Sequence, residues 1–358
     1  MGALSAAALS SARKQIRSSI RSVLPSVAYR SGISRAIAPR YRGRGVIFLL
    51  HSVVDDDTFY PEELLRCPAG RLDWTLRYLK ANNVEIVSLD DAVARLSTPD
   101  TRPFAVFTFD DGYADNLTRA LPVMERHNAP FVVYVTTGMV TGEIDAWWLG
   151  LAELIRVTDR VEVAGRRFDC ASRAAKRRTL LAIEALTQTE CAALPAVRDV
   201  IKAHGISCQA LARREGLSQD QLRELARHPL VTIGAHTTTH INLAQASAAA
   251  AEKEMRLNRA FLEQALQRPV THFAYPFGHG DACGPREAAL AKSSGFHSAV
   301  TSRHGCLFPA HLDHLHELPR EPLFAKDNAA SLQCKLNGFY RAVRSRLGDP
   351  IATMSSAS

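Results

Sequence analysis

From about residue 45 the chain alternates two kinds of segment. Short runs of consecutive apolar residues, rich in Val, Ile and Phe, give way to longer stretches in which apolar positions return every three or four residues. A run that is apolar at every position suits a strand buried on both faces. Its alternation with amphipathic helices predicts a parallel sheet wrapped by helices. Strands are predicted over GVIFLLH (45–51), VEIVS (84–88), FAVFTF (104–109), PFVVYVTT (130–137), LVTIGAH (230–236), VTHFAYP (270–276) and FHSAVT (296–301). Helices are predicted over 71–83, 89–96, 115–127, 243–267 and 284–293.

Between 147 and 228 the rhythm breaks. WWLGLAELIRV is helical, RVEVAGRRFDC reads as a hairpin around Ala164 and Gly165, and three or four helices follow. A structureless loop of that length is uncommon, so this region is expected to be an inserted helical subdomain. The chain thus divides into an N-terminal arm over 1–44, a barrel over 45–325, and a C-terminal helix with a polar tail over 326–358.

The net charge of +8 is unevenly placed. Nine of the 44 Lys and Arg residues lie in 1–54, which hold no acid, so from Asp55 onward 35 basic side chains face 36 acidic ones. The body is nearly neutral, and the basic residues of the arm are not interleaved with aromatics, which argues against nucleic acid as a partner. In the arm, Ile16, Ile20, Val23 and Val27 recur at helical spacing with Arg13, Lys14, Arg17 and Arg21 largely off that stripe. It can lie on an anionic membrane surface or pack on the barrel as a basic helix, and it also has the acid-poor makeup of an organelle transit peptide. The apolar ALSAAAL is short and precedes the charges, unlike a secretory signal, and no run approaches the ~20 apolar residues that span a bilayer. The expected location is cytoplasmic, with peripheral contact at the inner membrane face. Seven cysteines, scattered and never in CxxC spacing, suit a reducing compartment and are read as thiols rather than metal ligands.

Polar residues gather at the carboxyl ends of the predicted strands: His51, Asp110 with Asp111, His236 and Tyr275. In an α/β barrel these ends converge on one site. Two adjacent carboxylates at a buried strand end repel each other, a cost that falls sharply beside a divalent cation. HTTTH places His236 and His240 four residues apart, one helical turn, so that both can face one ion. Two imidazoles and one carboxylate form a common donor set for catalytic zinc and other first-row metals. The second carboxylate is then free to act as a general base on water, which points to hydrolysis of an amide or ester.

TFDDG, HTTTH and FAYPFG (273–278), in this order, resemble the first three motifs of the polysaccharide deacetylases, the NodB-homology or carbohydrate esterase 4 superfamily. The resemblance covers roughly 45–325, including LLHSV and LPRE. It implies an α/β fold, an irregular (β/α)7-type barrel of the NodB kind, here with a helical insertion. It further implies Asp110 as base, and Asp111, His236 and His240 as ligands of a divalent metal, usually zinc and sometimes cobalt or nickel. The implied reaction removes acetyl groups from N-acetylated, sometimes O-acetylated, sugars.

The usual third motif, Arg-x-Pro-Tyr, is replaced by Ala274, Tyr275, Pro276 and Phe277, so the arginine that braces the base is missing from its place. Arg320 of LPRE is the candidate substitute, and the backbone amide near Phe277 the implied oxyanion donor. For the general acid, LDH (Leu312 to His314) fits the family's last motif literally, but His51 closes the first strand and is preferred. His272, His279, His304, His311 and His316 are read as structural. Tyr113 and Trp147 are the candidates for a sugar platform, with Trp148 assigned to packing the insertion.

The leading expectation is a metal-dependent deacetylase of a polysaccharide, oligosaccharide or lipid-linked glycan precursor in cell-envelope polysaccharide biosynthesis. The alternatives are hydrolysis of a non-sugar amide or imide on the same barrel, and a catalytically silent glycan-binding protein.

Overall fold

A computed structural model describes residues 24–355 apart from 57–58, 62–64, 100–101 and 191. The arm's predicted stripe from Ile16 to Val23 lies outside the described residues. Seven strands form one continuous parallel path, in the order β7 (Ser298–Val300), β6 (His272–Ala274), β5 (Val231–Ala235), β4 (Phe131–Val135), β3 (Phe104–Phe109), β1 (Gly45–Leu50) and β8 (Glu321–Pro322). The short β2 (Glu85–Ile86) pairs with the start of β3. Each predicted strand is present. β8, with two residues, has no periodicity to read, and neither has the pair Ser52–Val54 and Arg66–Pro68.

The segment 318–322 bridges the two edges of the sheet. Leu318 pairs with Val300 at one edge, and Glu321 and Pro322 pair with Phe48 and Leu49 at the other. This curls the sheet into an irregular barrel, the α/β class expected of the pattern. Strand residues of one parity (Val46, Phe48, Leu50, Phe107, Phe109, Phe273) pack outward under the helices. Those of the other parity (Ile47, Phe104, Val106, Val132, Ala274, Val300) fill the barrel. Close packing dictates Gly234 on β5, because a Cβ there would stand 2.4 Å from the ring of Tyr134.

Between β4 and β5 the chain forms helix Trp147–Val157, the hairpin Arg160–Val163 with Arg166–Asp169, and helices Arg173–Thr189, Ala193–Ala203, Cys208–Glu215 and Gln219–Arg227. Ala164 (φ 50°) and Gly165 (φ 72°) make the hairpin turn, which needs two left-handed residues. These elements have an apolar cluster of their own around Leu151, Ile155, Val197 and Ile201. No helix among the described residues is long and apolar enough to cross a membrane. Six described cysteines are free and buried.

Candidate active site

Side chains alternate across a strand. The parity that fills the barrel, carried one step past the strand ends, aims His51, Asp110 and His236 into the barrel mouth. Asp111 would face outward by the same count. A left-handed backbone at Asp111 (φ 75°), followed by Gly112 (φ 80°), turns its carboxylate back toward the mouth.

Asp111 Oδ1 lies 3.4 Å from His236 Nε2 and 3.3 Å from His240 Nε2. One ligand atom from each of the three residues lies within 4.8 Å of the other two. Asp111 is 3% exposed, yet its Oδ1 has no hydrogen-bond partner. A buried carboxylate oxygen without a donor is costly, and two imidazole nitrogens facing it make the set of donors that zinc or a similar cation takes. His236 Nδ1 is 2.7 Å from the Ala274 carbonyl, which fixes the tautomer and leaves Nε2 its lone pair toward Asp111. The residues therefore fit a divalent cation.

The imidazoles were expected one helical turn apart, but 236–240 is a loop. Thr237 (φ 62°) and His240 (φ 55°) are left-handed, and the two rings still close to 5.1 Å. The loop holds because its amides find partners other than helix carbonyls. Glu254 Oε2 accepts from Thr238 N (2.9 Å) and Thr239 N (2.8 Å). Asn258 Oδ1 accepts from His236 N (2.9 Å), while its Nδ2 donates to Val135 O (3.0 Å) and Thr137 Oγ1 (2.8 Å). Neither residue was a sequence candidate. The signal for Asn258 was available: it shares the buried face of helix Ala248–Leu266 with Ala251, Met255 and Leu262, where a lone amide needs a purpose.

Arg320 is buried inside the barrel and takes both oxygens of Asp110, Nη1 to Oδ1 and Nη2 to Oδ2, each at 2.7 Å. Its Nε donates to Thr301 O at 2.8 Å and Nη1 also reaches Thr108 Oγ1 at 3.1 Å. Burial pushes the Asp110 carboxyl up, but the Arg320 guanidinium and then the His236 ring outweigh it and hold it below the ordinary value. For Asp111 burial likewise opposes, and the His240 and His236 rings prevail, keeping it ionised. Burial is the largest influence on His240 and lowers it to about 4, so at neutral pH that ring is an unprotonated donor. His51 is half-buried and also lowered by burial, against the pull of Asp111 and Asp110. Its carbonyl accepts from Asn116 Nδ2 at 2.8 Å, at the head of a π-helical turn, Asn116–Ala120, that follows the DDG motif.

The other candidates separate. Phe277, exposed, sits at φ 64° in a γ-turn closed by Gly278 N to Pro276 O at 2.7 Å, with its ring 4.9 Å from that of His240. Its own N–H makes no hydrogen bond among the described residues. Tyr275 has the outward parity. It is fully buried beneath the helices with its hydroxyl donating to His316 O at 2.9 Å, so it offers nothing to a ligand. Tyr113 is fully buried too, and its hydroxyl accepts from Trp148 Nε1 at 3.3 Å. Trp148 packs, as expected, against the cluster of Tyr113, Met139, Leu149 and Leu211 that joins the insertion to the barrel. Trp147, a candidate for the sugar platform, packs against the insertion's own cluster, whereas the Trp148 ring lies 4.9 Å from that of His240. Their helix starts at 147, so consecutive residues point about 100° apart and only the second reaches the mouth. His314 lies in the 309–317 segment, where its Nδ1 is 3.5 Å from Glu317 Oε1.

A curled parallel sheet with a carboxylate, two imidazoles and a clamped second aspartate at its mouth is the architecture of a hydrolase. Residues 97–295, more than half of the chain, match the profile of the polysaccharide deacetylases, and the chain belongs to that family of hydrolases acting on amide C–N bonds. The matched span takes in both aspartates, both histidines and Phe277, and leaves His51 and Arg320 outside.

Among solved structures, the chain is similar to the Streptococcus pyogenes deacetylase PplD in complex with acetate, at 17% identity over 83% of this chain and 96% of that one, with a TM-score of 0.52. It is similar to the polysaccharide deacetylase BC0361 from Bacillus cereus at 15% identity over 82% and 68%, with a TM-score of 0.52. IcaB from Ammonifex degensii follows at 15% identity over 82% and 97%, with a TM-score of 0.51. At these identities the likeness is one of fold. No curated protein matches the chain significantly.

Proposed function

We propose that the chain removes acetyl groups from N-acetylated sugar residues of a polysaccharide, oligosaccharide or lipid-linked glycan precursor. The observation that carries this reading is the unpartnered Asp111 Oδ1, 3.3–3.4 Å from two imidazole nitrogens and next in sequence to an aspartate clamped by arginine. In this reading Asp111, His236 and His240 hold a divalent cation, zinc by donor set, with cobalt or nickel as substitutes. When bound, the cation supplies Lewis-acid polarisation of the amide carbonyl and lowers the pKa of water toward neutrality.

Asp110 takes the proton of the attacking water. Each of its oxygens keeps a lone pair free after the Arg320 clamp. The Phe277 N–H meets the developing oxyanion, a contribution of ~3 kcal/mol for one preorganised donor. His51 gives its proton to the leaving amine. The Trp148 and Phe277 rings each lie 4.9 Å from that of His240 and offer apolar faces to a pyranose. The 147–228 insertion serves to carry Trp148 to the mouth. The arm over 1–44 serves for peripheral contact at the inner membrane face, and 326–358 as a C-terminal cap.

The test is acetate release from a panel of N-acetylhexosamine glycans and lipid-linked sugars, with and without chelator. Release that chelator abolishes and zinc restores is expected. Release indifferent to chelator, or none from any glycan, overturns the reading.

A further inference from the structure

A groove of about 970 Å³ opens at the end of the barrel opposite the site. Arg42 lines it three residues before β1 begins, whereas His51 follows the end of β1, so the strand's six residues, about 20 Å, separate the two. One wall is the helical segment 24–30 and helix Ile33–Tyr41, and the other carries Tyr78, Asn82, Gln333 and Asn337.

Three guanidinium groups, those of Arg30, Arg35 and Arg42, line this groove and no carboxylate does. None of the three has an ion pair or a side-chain hydrogen bond among the described residues. Some exposed arginines elsewhere have an acid beside them, as Arg119 has Asp55 and Arg223 has Asp220, each at 2.9 Å, but what sets these three apart is that they share one lining. Three like charges gathered without a counter-ion repel one another, and an anion of two or more charges relieves that repulsion. The planar guanidinium matches the oxygens of a phosphate two at a time. Tyr29, in the same lining, adds a phenol group, whereas the Tyr78 hydroxyl already donates to Gln333 Oε1 at 3.2 Å. The groove is far larger than one phosphate, and Ala38, Pro39 and the two tyrosine rings are in its lining, so the ligand has a bulky remainder.

We propose that this groove binds a phosphate-bearing ligand, its phosphate held by Arg30, Arg35 and Arg42. The chemistry is shared by the headgroup of an anionic lipid and by a soluble phosphorylated compound. The inference is independent of the deacetylase reading, since no residue of the barrel mouth takes part. If the source is a bilayer, the barrel mouth faces away from it.

The test uses the full chain in two arms. Inorganic pyrophosphate is titrated calorimetrically, and vesicles of phosphatidylglycerol or of phosphatidylcholine are cosedimented with the protein. Wild type is expected to bind pyrophosphate, which identifies a soluble source, or phosphatidylglycerol vesicles alone, which identifies a headgroup. The combined Arg30→Ala, Arg35→Ala, Arg42→Ala variant is expected to weaken that binding at least tenfold at an unchanged unfolding midpoint. The Arg→Lys variant at the same three positions keeps the charge but loses the fork, and is expected to weaken it as well. No binding of either probe by wild type, or full affinity in the Ala variant, overturns the proposal. Full affinity in the Lys variant leaves only diffuse attraction and overturns it too.

Discussion

Arg320 and Asp110, 210 residues apart in the chain, meet inside the barrel through two parallel hydrogen bonds of 2.7 Å. The third motif has Ala274 where an arginine is usual, and in the proposed reading Arg320 braces Asp110 instead. Arg320→Lys keeps a charge but cannot grip both oxygens. Acetate release is expected to fall about tenfold or more in kcat, with metal content unchanged, because the carboxylate is no longer fixed in direction. Arg320→Leu leaves a buried carboxylate without its partner and is expected to cost about 3–5 kcal/mol in denaturant unfolding.

Asp110 and Asp111 are neighbours with different surroundings, one clamped by arginine and one facing two imidazoles. Asp110→Asn is expected to lower turnover by about 10² or more while bound zinc, measured by elemental analysis, stays at the wild-type level. Asp111→Asn is expected to lose the zinc first. Loss of both properties together in Asp110→Asn would mean that the two roles are exchanged or wrongly assigned.

How much of this was legible follows from the periods involved. Seven strands were readable because each lies in a short run dominated by apolar and β-branched residues, and the strand-end polar residues followed at once. Tyr275 shows what a strand-end reading alone omits. The same period of two that aims Ala274 inward aims Tyr275 outward, so counting parity would have excluded it from the site. Trp147 and Trp148 differ only by one helical step, and a helix start fixed to within one residue is beyond a sequence pattern. The loop at 236–240 was misread because spacing of four fits a helix, while the partners that forbid one, Glu254 and Asn258, lie on a later helix.

Asn258 joins the ends of two strands through three hydrogen bonds, to His236 N, Val135 O and Thr137 Oγ1. Asn258→Ala removes all three, leaving His236 N and Val135 O only their mutual hydrogen bond of 3.2 Å, at a cost of about 1–3 kcal/mol in stability. If the residue also sets the direction of His236, zinc affinity is expected to drop about 10- to 100-fold. Calorimetric zinc titration of the folded variant separates the two effects, and an unaltered affinity would confine Asn258 to stability.

Trp148 and Trp147 provide an internal control for the sugar platform. Trp148→Ala removes the ring 4.9 Å from His240 and is expected to raise KM for a glycan several-fold, with little change in kcat. Trp147→Ala empties part of the insertion's core, so a lower unfolding midpoint is expected with KM unchanged. Steady-state kinetics and thermal unfolding of both variants, side by side, check the assignment.

Asp115 lies beneath the DDG turn, accepting from the Ser52 hydroxyl and from Val53 N at 3.0 Å. Burial raises its carboxyl to about 6, with the hydrogen bonds opposing. The folded chain thus binds this proton more tightly than the unfolded chain, whose value is near 3.9. The stability it confers is complete below about pH 4 and is lost as the pH rises through about 6, a change of at most about 3 kcal/mol for two pKa units. Asp115→Asn retains an acceptor for Val53 N and cannot ionise. Urea midpoints of wild type and variant are therefore expected to diverge between pH 4 and 7, with the variant gaining. Parallel curves would mean that Asp115 stays charged in the folded protein throughout, held by Arg66, whose Nη1 is 3.9 Å away.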